Sequence, residues 1–61
     1  MRFGELKKQL SKIGCYLSRE GKKHEIWFSP VTGSYFPVGR HNHEEVKNGT
    51  LESIRKASGL K

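Results

Sequence analysis

The residues best suited to chemistry in this chain are a histidine and the cations around it. His24 ends a short basic turn, Gly21-Lys22-Lys23, and directly precedes the apolar-alternating run Glu25-Ile26-Trp27-Phe28. An imidazole with an unperturbed pKa of about 6.5 accepts a proton at neutral pH. Lys22 and Lys23 would attract an anionic group and stabilise charge developing on it. A chain of 61 residues has little room for a deep cleft, so any substrate must lie across its surface. RNA fits, because its own 2′-hydroxyl can serve as the nucleophile. Arg40 and His41, further on, are candidates for contact with phosphate or with a partner.

Each of these residues has a plainer reading. His24 is otherwise an exposed turn residue, Lys22 and Lys23 a solvated hairpin tip, and Arg40-His41 an ordinary polar loop. The tripeptide His41-Asn42-His43 spells the name of a nuclease class whose residues are in fact dispersed, so it carries no information about that class. A His-x-His pair could join His24 in binding zinc. No Asp is present, the single Cys15 lies far away in sequence, and the nearby carboxylates are Glu44 and Glu45. The expectation is therefore no metal and no cofactor.

Composition narrows the partners. Twelve Lys and Arg against six acidic residues, all of them Glu, give a formal charge of +6 and favour polyanions. Acidic partner proteins are equally allowed. The length suits one domain spanning residues 1–61, with a thin core whose stability is marginal or assisted by a partner. One cysteine excludes an internal disulfide. No apolar run reaches the roughly 18 residues of a membrane span, and the N-terminus lacks an apolar signal segment. These features together lead to the expectation of a soluble, cytoplasmic, unprocessed protein.

The elements that must position His24 are legible from periodicity. Phe3, Leu6, Leu10 and Ile13 recur at three- and four-residue steps, with Glu5, Lys7, Lys8, Gln9, Ser11 and Lys12 on the other face, which predicts a helix. Gly14 supplies a left-handed stop, letting Cys15 pack back on Leu10. Neither Met1 nor Arg2 is a good N-cap, so the first turn is expected to fray. A strand is predicted over Cys15–Arg19, then a polar turn in which Gly21 is able to take a positive φ, then a strand over His24–Ser29. Pro30 and Gly33 mark a second turn, and Ser34–Val38 forms a third strand with Pro37 best placed at an edge. A polar loop over Gly39–Lys47 leads to a helix capped by Asn48. Its apolar stripe is Leu51, Ile54 and Ala57, and it ends at Gly59 with Leu60 folding back.

The predicted class is α+β, in the order α-β-β-β-α, with both helices on one face of a three-stranded antiparallel sheet. Alternation assigns Ile26, Phe28, Phe36 and Val38 to the core. It leaves Tyr16, Trp27 and Tyr35 as an outward aromatic patch, suited to stacking RNA bases or to burial by a partner protein.

The basic turn ending in Lys23-His24, the run Glu25-Ile26-Trp27, the Pro-containing third strand leading to Arg40-His41, and Asn48-Gly49-Thr50-Leu51-Glu52-Ser53-Ile54 with its Gly59-Leu60 ending carry a resemblance. Together they resemble the HicA toxin family, over nearly the whole chain. The resemblance implies a double-stranded-RNA-binding-domain-like fold and a ribosome-independent mRNA interferase of a type II toxin–antitoxin module. It implies a HicB-type antitoxin as protein partner, mRNA as substrate, and catalysis by a histidine at the start of the second strand, the position of His24. In the family that histidine belongs to a Gly-x-His motif, whereas this chain reads Gly-Lys-Lys-His. The expected reaction leaves a 2′,3′-cyclic phosphate and a free 5′-hydroxyl, with Lys22, Lys23, Arg40 and His41 as RNA contacts. Free of its partner, the chain is expected to be a monomer. The competing function is a non-catalytic module of the same fold that only holds nucleic acid. A third is an interaction protein that uses its sheet edge or aromatic face.

Overall fold

A computed structural model describes residues 1–60 of the chain. Its order is α1 (Phe3–Lys12), β1 (Tyr16–Glu20), β2 (His24–Ser29), β3 (Ser34–Gly39) and α2 (Asn48–Ser58). The strands form one antiparallel sheet with β2 in the centre, so Pro37 sits on an edge strand where its missing N–H is tolerated. Leu6 and Leu10 from α1, Ile54 from α2, and Trp27, Phe36 and Val38 from the sheet join in one buried cluster. Both helices therefore cover the same face, as the pattern of the sequence predicts.

Helix α1 ends as expected. Gly14 has φ 95°, and the Cys15 N–H donates to the Leu10 carbonyl at 3.0 Å, closing a Schellman-type cap over the buried Cys15. Its start differs from the expectation of a frayed turn. Arg2 supplies no side-chain cap, but the loop after β3 does the capping with its backbone. The Phe3 and Gly4 N–H groups donate to the carbonyls of Glu44 and Asn42, both at 3.1 Å. The Val46 N–H reaches the Met1 carbonyl at 2.9 Å, and Val46 is buried. The segment assigned to a polar loop is thus a strap that closes the helix N-terminus and adds a residue to the core. Gly39 admits the strap's neighbour, since a Cβ there would lie 2.8 Å from the Phe3 ring.

Three sequence-based details need correction. β1 begins at Tyr16, one residue later than predicted, and α2 takes Asn48 as its first helical residue, with Lys47 at the cap and no side-chain cap bond. More consequentially, β2 faces the other way. Trp27 is buried, and opposite Phe36 it points to the core, while Ile26 and Phe28 lie on the outer face and are only half-buried. Glu25 lies on the core side with Trp27. The reason is a polar contact that alternation does not see. Lys7 of α1 reaches Glu25 Oε1 at 2.9 Å, and the Trp27 indole N–H donates to the same oxygen at 3.0 Å. A carboxylate so partnered can sit beneath a helix.

Candidate functional site

His24 opens β2 at the end of the sheet where the β1–β2 turn meets the loop after β3. Gly21 does not use the positive φ open to it. It is required by close approach: its N–H donates to the His24 carbonyl at 2.8 Å, and a Cβ would stand 2.7 Å from that same oxygen. Lys22 and Lys23 form the two-residue tip. The tip has no residue of positive φ, unlike the turns that match strand twist, and the same hairpin carries a bulge between Leu17 and Arg19. The Lys22-Lys23 tip is thus part of a closed hairpin that holds the His24 backbone. On its other side His24 pairs with Gly39 of β3.

Arg40 secures this turn from outside. Its guanidinium donates to the Lys22 carbonyl at 3.1 Å and the Gly21 carbonyl at 3.4 Å, and lies 3.6 Å from Glu20 Oε1. Behind it, the Lys7 ammonium bonds Asn42 Oδ1 at 2.7 Å and the Arg40 carbonyl at 3.5 Å, as well as Glu25. One half-buried side chain therefore ties α1, β2 and the strap together beneath His24. Burial pushes the Glu25 carboxyl up, but the bonds from Trp27 and Lys7 and the charges of Lys7 and Arg40 outweigh it and hold the group below its ordinary range.

The five residues singled out from sequence converge on two adjoining open grooves. The larger, about 960 Å³, passes Lys23, His24, Arg40 and His41 and runs to Gly49, Thr50 and Ser53 of α2. The smaller, about 650 Å³, lies among Lys22, Lys23, Arg40 and His41, with Glu20 and Glu25. All five are exposed. Among the described residues, the side chains of Lys22, Lys23, His24 and His41 have no hydrogen-bond or ion-pair partner, which leaves them available to a ligand. The larger groove also meets Gly49 and Thr50 in the first turn of α2, which holds no acidic residue and no side-chain cap bond, and it is lined as well by Glu44 and Glu45. Sequence reasoning missed Lys7, Glu25 and Asn42, because helix periodicity places Lys7 with the solvated residues. Among the described residues no three His, Cys, Asp or Glu side chains group as they would around a metal ion.

The site thus offers an exposed imidazole held by its backbone, with two unpaired lysines beside it on an open groove. A family model described as HicA toxin of bacterial toxin–antitoxin matches residues 3–60. The chain belongs to the HicA toxin family. The matched span takes in His24, the strap and both helices, and membership brings with it an antitoxin partner. No curated protein and no solved structure matches the chain. No helix among the described residues is long and apolar enough to cross a membrane.

Proposed function

We propose that the chain is an endoribonuclease of the mRNA interferase type, with His24 as the general base. The observation that carries this reading is the exposed His24 in the larger groove, next to Lys23, Arg40 and His41, which line both grooves, with its backbone fixed by Gly21 and Gly39 and its ring unengaged. His24 takes the proton of an RNA 2′-hydroxyl. The 2′-oxygen then bonds to the adjacent phosphorus and the P–O5′ bond breaks, with the departing oxygen protonated from solvent. The products are a 2′,3′-cyclic phosphate and a 5′-hydroxyl, and the atoms balance without a further reactant. Lys22 and Lys23 draw the phosphate and stabilise charge on its non-bridging oxygens. Arg40, held against the turn by its own hydrogen bonds, and His41 contact the backbone of the RNA on either side.

In this reading mRNA is the substrate, and a HicB-type antitoxin, acting in the cytoplasm, silences the toxin by covering His24. The test is cleavage of an end-labelled single-stranded RNA in EDTA by the parent protein and by His24→Ala, with product ends identified. The reading expects cyclic phosphate ends from the parent and none from a variant whose circular dichroism is unchanged. Equal binding without cutting by both proteins would make the chain a nucleic-acid-binding module instead.

A further inference from the structure

The face of the sheet away from the helices has its own chemistry. Register places Tyr16 opposite Phe28 and Phe28 opposite Tyr35, so the three rings form a row across all three strands. Their centroids are 5.6 and 4.9 Å apart, with neighbouring rings tilted by about 50°. Tyr16 is 55% and Tyr35 65% exposed, an unusual amount of aromatic surface for a chain this small. Trp27, expected in this patch, belongs to the core, and Phe28 takes its place.

Three further observations say what covers the row. His24 and Ile26 share the parity of Phe28 along β2, so the imidazole stands on the same face, about 14 Å from the aromatic row at strand rise. The bulge between Leu17 and Arg19 shifts the register so that Arg19 stands opposite Ile26, adding a cation between the row and His24. Both carboxylates of the strands, Glu20 and Glu25, pair with each other across β1 and β2 on the opposite parity, where Arg40 and Lys7 engage them. The outer face thus presents aromatic rings, one guanidinium and one imidazole, and no strand carboxylate. Aromatic rings beside unopposed positive charge form the surface on which unpaired nucleobases stack while their phosphates meet cations.

We infer that the outer face of the sheet is a base-stacking platform for single-stranded RNA, with Tyr16, Phe28 and Tyr35 holding unpaired bases and Arg19 guiding the backbone towards His24. This rests on the endoribonuclease reading only for the sense of leading to His24; binding itself does not require it. Duplex RNA, with its bases stacked on each other, cannot use the rings, so the platform selects unpaired segments of a transcript.

The test uses the full chain carrying His24→Ala, so that RNA stays intact, and measures fluorescence anisotropy of a labelled uridine oligomer, an abasic oligomer of equal length and a duplex. The expected result is tighter binding of the uridine oligomer than of the other two. Tyr16→Ala or Tyr35→Ala should each weaken uridine binding about tenfold while leaving abasic binding unchanged, with Tyr35→Phe restoring it. Both tyrosines are exposed, so the variants should fold, which circular dichroism checks. Uridine binding that ignores the tyrosine changes would overturn the platform. This holds whether or not those changes alter self-association in sedimentation, which would mark the face as a protein interface. If the platform binds as predicted but the parent protein cuts nothing, the endoribonuclease reading fails and the platform stands. If the parent cuts and the tyrosine variants bind and cut as it does, the reverse holds.

Discussion

The two ends of the sheet are built from different chemistry. At the β2–β3 turn, hydroxyl groups pin the end of α2: Ser29 Oγ donates to the Ser58 carbonyl at 2.6 Å and accepts from the Val31 N–H at 3.2 Å, and the Thr32 hydroxyl donates to the Ala57 carbonyl. Gly59, at φ 82°, completes that cap, and Ser29 and Ser58 are fully buried. At the opposite end, Arg40 and Lys7 hold the backbone, while Lys22, Lys23, His24 and His41 stay exposed with free side chains. One end commits its polar groups to the fold. The other uses two cations to hold the turn and the strap and leaves four polar side chains exposed.

Substitutions should therefore separate function from stability according to which end they touch. The largest effect belongs to His24→Ala, which should lower RNA cleavage by about 10²–10⁴-fold while leaving the unfolding midpoint unchanged. A midpoint that falls with activity would erase the contrast between the ends. Next comes Lys7→Met, which strands the Glu25 carboxylate beneath α1 and should cost about 2–3 kcal/mol in urea unfolding. It should also change the acid limb. Because the folded protein holds Glu25 below its ordinary value of 4.5, that group's stabilisation is present above 4.5 and fades as pH falls through the lowered value. Unfolding measured across acid pH should show this slope in the parent protein and a flatter one in Lys7→Met. Ser29→Ala at the hydroxyl end leaves the Ser58 carbonyl and the Val31 N–H without their partner and should cost about 1–2 kcal/mol, with kcat unaltered in the folded protein. Smallest is Lys22→Gln or Lys23→Gln. Either should leave stability unchanged and reduce the salt dependence of binding to single-stranded RNA by about 0.7 in logarithmic slope for each phosphate that is no longer neutralised.

Much of the fold was readable from residue order. Helical periodicity located α1 and α2, Gly14 and Gly59 marked their ends, and turn residues separated three strands whose order follows from short connections. The five candidate residues, chosen partly for their types and partly for a family resemblance, come together at one end of the sheet because β2 starts where β3 ends. The facing of β2 was not readable. His24-Glu25-Ile26-Trp27-Phe28-Ser29 has apolar residues at both parities, and Glu25 argues for the wrong face unless its distant partner Lys7 is known. The strap was equally hidden, since a backbone carbonyl can cap a helix from any sequence, and Asn42 and Glu44 cap α1 through the main chain. Long-range polar contacts and main-chain capping leave no periodic trace.

The central claim, that the cationic end directs the RNA's own 2′-hydroxyl with His24 as base, is tested most directly by removing that hydroxyl. An RNA with one 2′-deoxynucleotide at a mapped cleavage position should be compared with the all-RNA oligomer, both in EDTA. The account predicts that cutting at the substituted linkage disappears while neighbouring linkages are cut as before with cyclic phosphate ends. Continued cutting at the deoxy linkage would show that water or another group attacks the phosphorus, and would contradict the role assigned to His24.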